Sequence, residues 1–283
     1  MKTSVSSAQI VRIEGRDIRV QPDLVSVEEP LEMRLGYGSE EDRHKKSISI
    51  TMRTPGHDFE LALGFLYTEG IITGAGDLNA IRYCSEPESE EAVDNVVIVE
   101  LKTEVEVDFK KLERHFYTTS SCGVCGKASI EALQNANCPV IEKKQKVLEA
   151  SVLHALPEAL RAQQAVFQYT GGIHGCAFFD MQGNLLMMRE DVGRHNALDK
   201  LIGASLASKS LKMTDSVLLL SGRISFELVQ KAAMAAVPII AAVGAPSSLA
   251  VKSAEELGIT LIGFLRDKRF FVILFFLLFF LPT

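Results

Sequence analysis

Polar and apolar residues alternate through residues 47–52 (SISITM), a period of two that predicts a half-buried strand. The period then becomes helical. Thr54 is placed to cap, Pro55 suits a first helical position, and the apolar stripe from Phe59 through Leu66 in HDFELALGFLYTEG stops at Gly70. A second strand is expected at VVIVEL. The acidic, proline-containing run CSEPESEEAVDN before it reads as an exposed, solvated loop. The first half is therefore expected to be α+β.

The pattern changes at Ser151, where SVLHALPEALRAQQ predicts a capped helix, and a boundary placed there gives two parts, residues 1–150 and 151–283. In the last hundred residues SVLLLSGR, VPIIAAVGAP and GITLIGFLR are short, almost continuously apolar strands, separated by helices expected over 225–236 and 247–257. Strands apolar on both faces and linked by helices indicate a parallel βαβαβ unit with right-handed crossovers. The fold class expected is α/β.

Parallel sheets gather their ligand loops at the carboxyl ends of strands, where helix N-termini present free N–H groups to anions. Three such loops recur: Ser221, Gly222 and Arg223 in SGRIS; Gly244, Ser247 and Ser248 in GAPSS; and Phe264, Leu265, Arg266, Asp267, Lys268 and Arg269 in FLRDKR. Arginine forks suit phosphate oxygens, and glycine lets a ligand approach the backbone. If the strands are neighbours, a pyrophosphate-bearing ligand is the reading; taken singly, each loop reads as a turn with a solvated arginine. In YTGGIHGCAFFD, paired glycines are expected to bend the chain after a strand, bringing His174 and the Cys176 thiol to a strand end. In REDVGRHNALDKLIG, Glu190, Asp191, Arg194 and His195 crowd around Gly193 before a helix over 196–203, which suggests a polar site rather than a core. A cap or surface ion pair is the alternative for each alone.

Composition narrows the partners. The 283 residues, 47% hydrophobic, suffice for one large or two modest domains. A net charge of -6, from 30 Lys+Arg against 36 Asp+Glu, argues against general nucleic-acid binding and leaves room only for a local basic pocket. The N-terminal residues show neither a signal nor a transit pattern, so a cytoplasmic protein is expected. The five cysteines, an odd number without paired spacing, suit reduced thiols. Residues 270–281 are 12 consecutive apolar residues, short of the roughly 20 that cross a bilayer. They read as a buried terminal strand or an appendage from a shifted frame, with a weak membrane or partner contact as the minority reading and no membrane partner expected overall.

The stretch TTSSCGVCGKASIEAL sets Cys122 and Cys125 three residues apart among glycines, before a segment that reads as helix. A structural zinc site needs two more ligands, normally another close pair, and none exists; His115, Cys138 or Cys176 could complete one only in space. A thioredoxin-like dithiol is a second reading, because a helix start lowers thiol pKa from about 8.5. A third is a mobile carrier of persulfide sulfur, in which the second thiol releases the sulfur by closing a disulfide.

Together, TTSSCGVCGKASIEAL, GGIHGCAFFD, EDVGRHNALDKLIG, SGRISFELVQKAAMAA and GAPSSLAVKSAEELGITLIGFLR resemble the FdhD-type formate dehydrogenase accessory sulfurtransferases, over residues 53–269. The resemblance implies a cytidine deaminase-like architecture and a cytoplasmic homodimer. It implies a protein that takes sulfur from a cysteine desulfurase and delivers it to the molybdenum cofactor, bis-molybdopterin guanine dinucleotide, bound as substrate, which formate dehydrogenase then requires. On this match Cys122 carries the persulfide, Cys125 is the second thiol, and residues 264–269 are the cofactor-binding stretch. Ser221, Gly222, Arg223, His174 and His195 are expected beside it, with Glu190 and Asp191 lining the ground toward the dithiol, and no resident metal. Two departures stand out: Lys268 where the family has glycine, and a wholly apolar run after Arg269 where the family continues polar. A non-catalytic chaperone for the cofactor or the apo-dehydrogenase is the alternative. A deaminase is excluded, since the chain lacks His-x-Glu followed by Pro-Cys-x-x-Cys.

Overall fold

The alternation at residues 47–52 belongs to a longer strand. In the computed structural model, which describes residues 3–84, 94–108, 141, 148–208 and 211–274, the chain opens with an antiparallel ribbon, β1 (Val5–Glu14) and β2 (Asp17–Ser26). Next come β3 (Glu29–Gly38), β4 (Arg43–Arg53), α1 (Asp58–Thr68), β5 (Leu78–Tyr83) and β6 (Val96–Leu101). These four strands form a sheet in the order β4-β3-β6-β5, with β3 and β6 parallel. Leu31, Met33, Leu35, Val97 and Val99 meet Leu61, Ala62 and Leu66 of α1 in one buried cluster. Period-two alternation on the strands and the apolar stripe of α1 thus close on the same core.

The second half contains α2 (Ala150–Gln163), α3 (Ala165–Thr170), β7 (His174–Phe179), β8 (Leu185–Asp191), α4 (Arg194–Ser208) and β9 (Val217–Leu220). It continues with α5 (Phe226–Met234), β10 (Ile239–Ala242), α6 (Ser248–Leu257), β11 (Thr260–Arg266) and β12 (Arg269–Leu274). The expected βαβαβ unit is present, since β9, β10 and β11 are parallel. It lies inside a mixed six-stranded sheet, β12-β11-β10-β9-β7-β8, because antiparallel strands extend it on both sides. Leu218, Leu220, Ile240, Ala242 and Leu261 face α4, α5 and α6. Val217, Leu219, Ile239, Ala241 and Ile262 face α2. Both sheet faces are therefore covered, which is why these strands read as continuous apolar runs.

The halves join where α1 packs on α4. A Cβ on Gly64 would enter the Asp199 carbonyl, and one on Gly203 the Glu60 carbonyl, so glycine at both positions permits a close helix crossing. Buried charges cross the same junction. Lys231 Nζ lies 3.0 Å from both Asp199 and Glu69 and 2.9 Å from Thr68 Oγ1. Burial opposes its charge, but the two carboxylates outweigh burial and hold its pKa raised.

Several expectations are corrected. Thr54 and Pro55 do not open α1, which begins at Asp58 after His57 in a left-handed conformation. The Thr54 hydroxyl instead accepts the Val192 N–H at 3.1 Å, a contact across the two halves that a local cap would forgo. The position before α2 is Glu149, which makes no side-chain cap bond. The paired glycines follow helix α3, where Gly171 takes φ 63 as its C-cap, rather than a strand. The apolar end begins as strand β12, but at the sheet edge, with Phe271 54% exposed rather than buried. Residues 275–283 and 85–93 lie outside the described residues, as do the dithiol stretch and the segment after it expected to be helical. Among the described residues no helix is long and apolar enough to cross a membrane.

Candidate functional site

Because β7 runs antiparallel to β9, its first residues lie at the carboxyl end of β9. The Ser221 N–H donates to the Gly175 carbonyl and the Gly175 N–H donates to Ser221 Oγ, both at 2.9 Å. This seats the His174 ring over Gly222, where even a Cβ would lie 3.3 Å from the imidazole. The other loops are tied to the same place by their backbones. Gly244 N–H donates to Gly222 O at 3.1 Å, Phe264 N–H to Gly244 O at 3.0 Å, and Ser247 N–H to Ile224 O at 3.0 Å. The loops after β9 and β10 and the last part of strand β11 are therefore tied together along one edge of the sheet.

Strand β8 returns to this edge, since His174 is in register with Asp191, so α4 begins here as well as α5 and α6. Three helix N-termini and several cationic side chains share one rim. His174 is half-buried, and its pKa lies below the ordinary 6.5: burial disfavours the charge first and Arg194 next, Asp191 opposes, and His195 and Arg223 add to the lowering. Arg194, His195 and Arg223 are thus gathered around a histidine that favours its neutral form. His195 Nε2 lies 3.2 Å from Ser225 Oγ and 3.7 Å from Glu227 Oε2. The nearby His195 ring, outweighing burial, holds the Glu227 carboxyl down at about 2.

The last loop is a hairpin tip. Arg266 and Arg269 face each other in register across a two-residue turn, with Asp267 at φ 53 and Lys268 at φ 55. Both angles are left-handed, as a type I′ turn demands, and neither residue is glycine. Phe264, half-buried at φ 56, meets Phe271 edge-on at 5.3 Å. Arg266, Asp267, Lys268 and Arg269 are exposed and free to reach a ligand, three strands and so roughly 14 Å from β7.

The structure thus brings together His174, His195, Ser221, Gly222 and Arg223, and sets residues 264–269 at the far end of the same edge. Leu265 is corrected: its side chain is fully buried against the α2 side of the sheet, so it supports the hairpin from the core. Glu190 and Asp191 are corrected too. Glu190 accepts the Val166 and Phe167 N–H groups at 3.1 and 3.0 Å, securing the start of α3. Asp191 is fully buried, 2.6 Å from Lys200 Nζ, and accepts the Thr54 and Gly193 N–H groups. Cys176 is buried and its thiol is pushed up by burial, so it is no nucleophile. Cys122 and Cys125 lie outside the described residues. Ser225 and Glu227 escaped the sequence reading; a serine before a helix and an acid in its first turn, directly after SGR, were the available signal. Among the described residues no three His, Cys, Asp or Glu side chains are placed to hold a metal ion.

Fold and edge together define a layered α/β protein with a cationic rim at the carboxyl ends of its parallel strands. Residues 27–273 match the model of the FdhD/NarQ family, and the chain belongs to that family. It is 49% identical over 260 residues to the sulfur carrier protein FdhD of Streptomyces avermitilis, covering 91% of this chain and 89% of that one. It is 39% identical over 268 residues to the protein of the same name in Saccharolobus solfataricus, covering 95% of both. A crystal structure of a candidate formate dehydrogenase accessory protein from Desulfotalea psychrophila superposes with a TM-score of 0.70 at 23% identity, over 96% of this chain and 97% of that one, and so shares the fold.

Proposed function

We propose that this protein is a sulfur carrier for formate dehydrogenase, receiving persulfide sulfur from a cysteine desulfurase on Cys122 and passing it to the molybdenum cofactor, bis-molybdopterin guanine dinucleotide, held as substrate at the carboxyl edge. The family and the names of the relatives support the carrier role. The gathering of Arg194, Arg223 and His195 around His174, where three helices begin, carries the ligand reading. Guanidinium forks and open helix starts favour phosphate oxygens. The hairpin with Arg266 and Arg269 extends the same edge toward a second anionic group of a long ligand.

The sulfur step balances within the dithiol. Sulfane sulfur on Cys122 leaves as sulfide when the Cys125 thiolate attacks Cys122 Sγ; the sulfur gains two electrons, the two thiols become a disulfide, and a dithiol reductant resets the pair. In this reading His174, whose neutral form is favoured by burial, takes or returns a proton at the edge. The protein acts as a homodimer in the cytoplasm, with the dithiol in residues 1–150 and the ligand edge in 151–283.

Intact mass after incubation with a desulfurase and cysteine tests the carrier. One added sulfur is expected on the wild type and none on Cys122→Ala. Full formate dehydrogenase activity in cells carrying only Cys122→Ala would leave the chaperone reading in its place.

A further inference from the structure

Two residues, Val192 and Gly193, separate the end of β8 from the start of α4, so they set the direction in which Arg194 leaves the sheet. Both amides of this link are held. Gly193 N–H donates to Asp191 Oδ1 at 2.8 Å, within the same half, while Val192 N–H donates to Thr54 Oγ1 at 3.1 Å, across the junction. The Thr54 backbone is engaged as well: its N–H donates to Asp191 Oδ2 at 3.1 Å and its carbonyl accepts from Lys200 Nζ at 2.7 Å. Lys200 in turn lies 2.6 Å from Asp191, and Thr54, Asp191 and Lys200 are all buried. Beyond the link, Asn196 Nδ2 donates to the Met52 carbonyl at 2.7 Å and Asn196 Oδ1 accepts from Thr51 Oγ1 at 3.2 Å. The end of β4 and the residue after it thus grip the start of α4 from the other half.

Arg194 is not part of this grip. It is half-buried, it lies close enough to His174 to lower the pKa of that ring, and among the described residues its guanidinium has no hydrogen-bond or ion-pair partner. A fork left free at its tip is placed by whatever fixes its backbone. We propose that Thr54 is a positioning residue of this edge: its hydroxyl, by holding the Val192 N–H, sets the Arg194 guanidinium to meet an anionic group together with Arg223. This rests on the reading that the edge takes phosphate groups. Residues 151–283 then do not complete the edge alone, since one of its cations is aimed by a residue of the first half. Removing one of the two amide anchors lets the link turn, and a paired bond from guanidinium to phosphate tolerates little displacement.

Calorimetry of inorganic pyrophosphate binding to the full-length protein tests it. Thr54→Val keeps the shape of the side chain and both backbone bonds but removes the acceptor, and should bind about tenfold more weakly than wild type. Thr54→Ser keeps the hydroxyl and should bind within about twofold of wild type. Thr54→Val/Arg194→Gln should bind no worse than Arg194→Gln alone, whereas Thr54→Val should still weaken the Arg223→Gln protein about tenfold. Hydrogen exchange at the Val192 amide should quicken in Thr54→Val and stay slow in Thr54→Ser. If Thr54→Val does not fold, Thr54→Ala carries the same comparisons. Wild-type affinity without the hydroxyl overturns the role of Thr54, as does an equal loss in Thr54→Ser. So does a loss that persists in full when Arg194 is already replaced, the mark of a merely structural change. If the wild type binds no pyrophosphate, the phosphate reading of the edge falls, and this proposal with it.

Discussion

Gly64 and Gly203 face one another across the α1–α4 crossing so closely that a Cβ on either would come within 2.9 Å of the other's backbone nitrogen. The contact is between main chains, which cannot yield as a flexible side chain would. Gly64→Ala and Gly203→Ala should each lower stability by about 1–3 kcal/mol, the usual cost of overpacking a core. Denaturant titration checks this, and a variant with an unchanged midpoint would show that the helices separate without cost.

The hairpin tip should respond in the opposite direction. Lys268 holds φ 55 in a turn that glycine adopts freely. Lys268→Gly should raise stability by about 0.5–1 kcal/mol, because relief of left-handed strain outweighs the added freedom of the unfolded chain. Thermal unfolding of the two proteins side by side decides it.

Acid should weaken the junction through Glu60, which makes a two-pronged bond to Arg189 at 2.6 and 2.7 Å and lies 3.0 Å from His57 Nδ1. Burial alone would raise its pKa, but the bonds from Arg189 and His57 win and bring it down from 4.5 to about 2. The folded state therefore binds this proton less readily than the unfolded chain. The stabilisation is fully present above pH 4.5 and is lost as pH falls toward 2. Glu60→Gln should remove on the order of 1 kcal/mol at pH 7, discounted because the pair is partly solvated, and should flatten the decline between these limits. Urea midpoints at several pH values measure it.

Cys176 should be inert while the protein is folded. Burial, and then Asp199 and Asp191, push its thiol upward, so little thiolate forms at neutral pH. Alkylation followed by peptide mass analysis should leave it unmodified until denaturant is added. Cys176→Ala should retain sulfur transfer, in contrast to Cys122→Ala.

The parts of the fold legible in the sequence were those whose pattern is set by burial alone. Strands β9 and β10 are apolar at every position because helices cover both faces, and α6 begins at Ser248, where Ser247 accepts the Ala250 N–H as its cap. Local charge density misled at Asp191 and Glu190, because whether a carboxylate is a ligand group or a buried brace depends on distant partners. The Thr54 N–H that bonds Asp191 lies 137 residues away along the chain. The antiparallel setting of β7, which brings a strand start to the carboxyl ends of the parallel strands, likewise depends on pairing with β9. The β1–β2 ribbon was available in the alternation of Val11, Ile13, Ile18 and Val20 about Gly15, but these side chains are exposed, so no core contrast marked them.

The main-chain bonds that link Gly222, Gly244 and Phe264 separate the shape of the rim from its chemistry. Exposed side chains such as Arg223, Ser248 and Arg266 project from a backbone whose course they do not determine. The rim can therefore accept substitutions at these positions with its outline unchanged, so its surface chemistry is open to change one residue at a time on a fixed template.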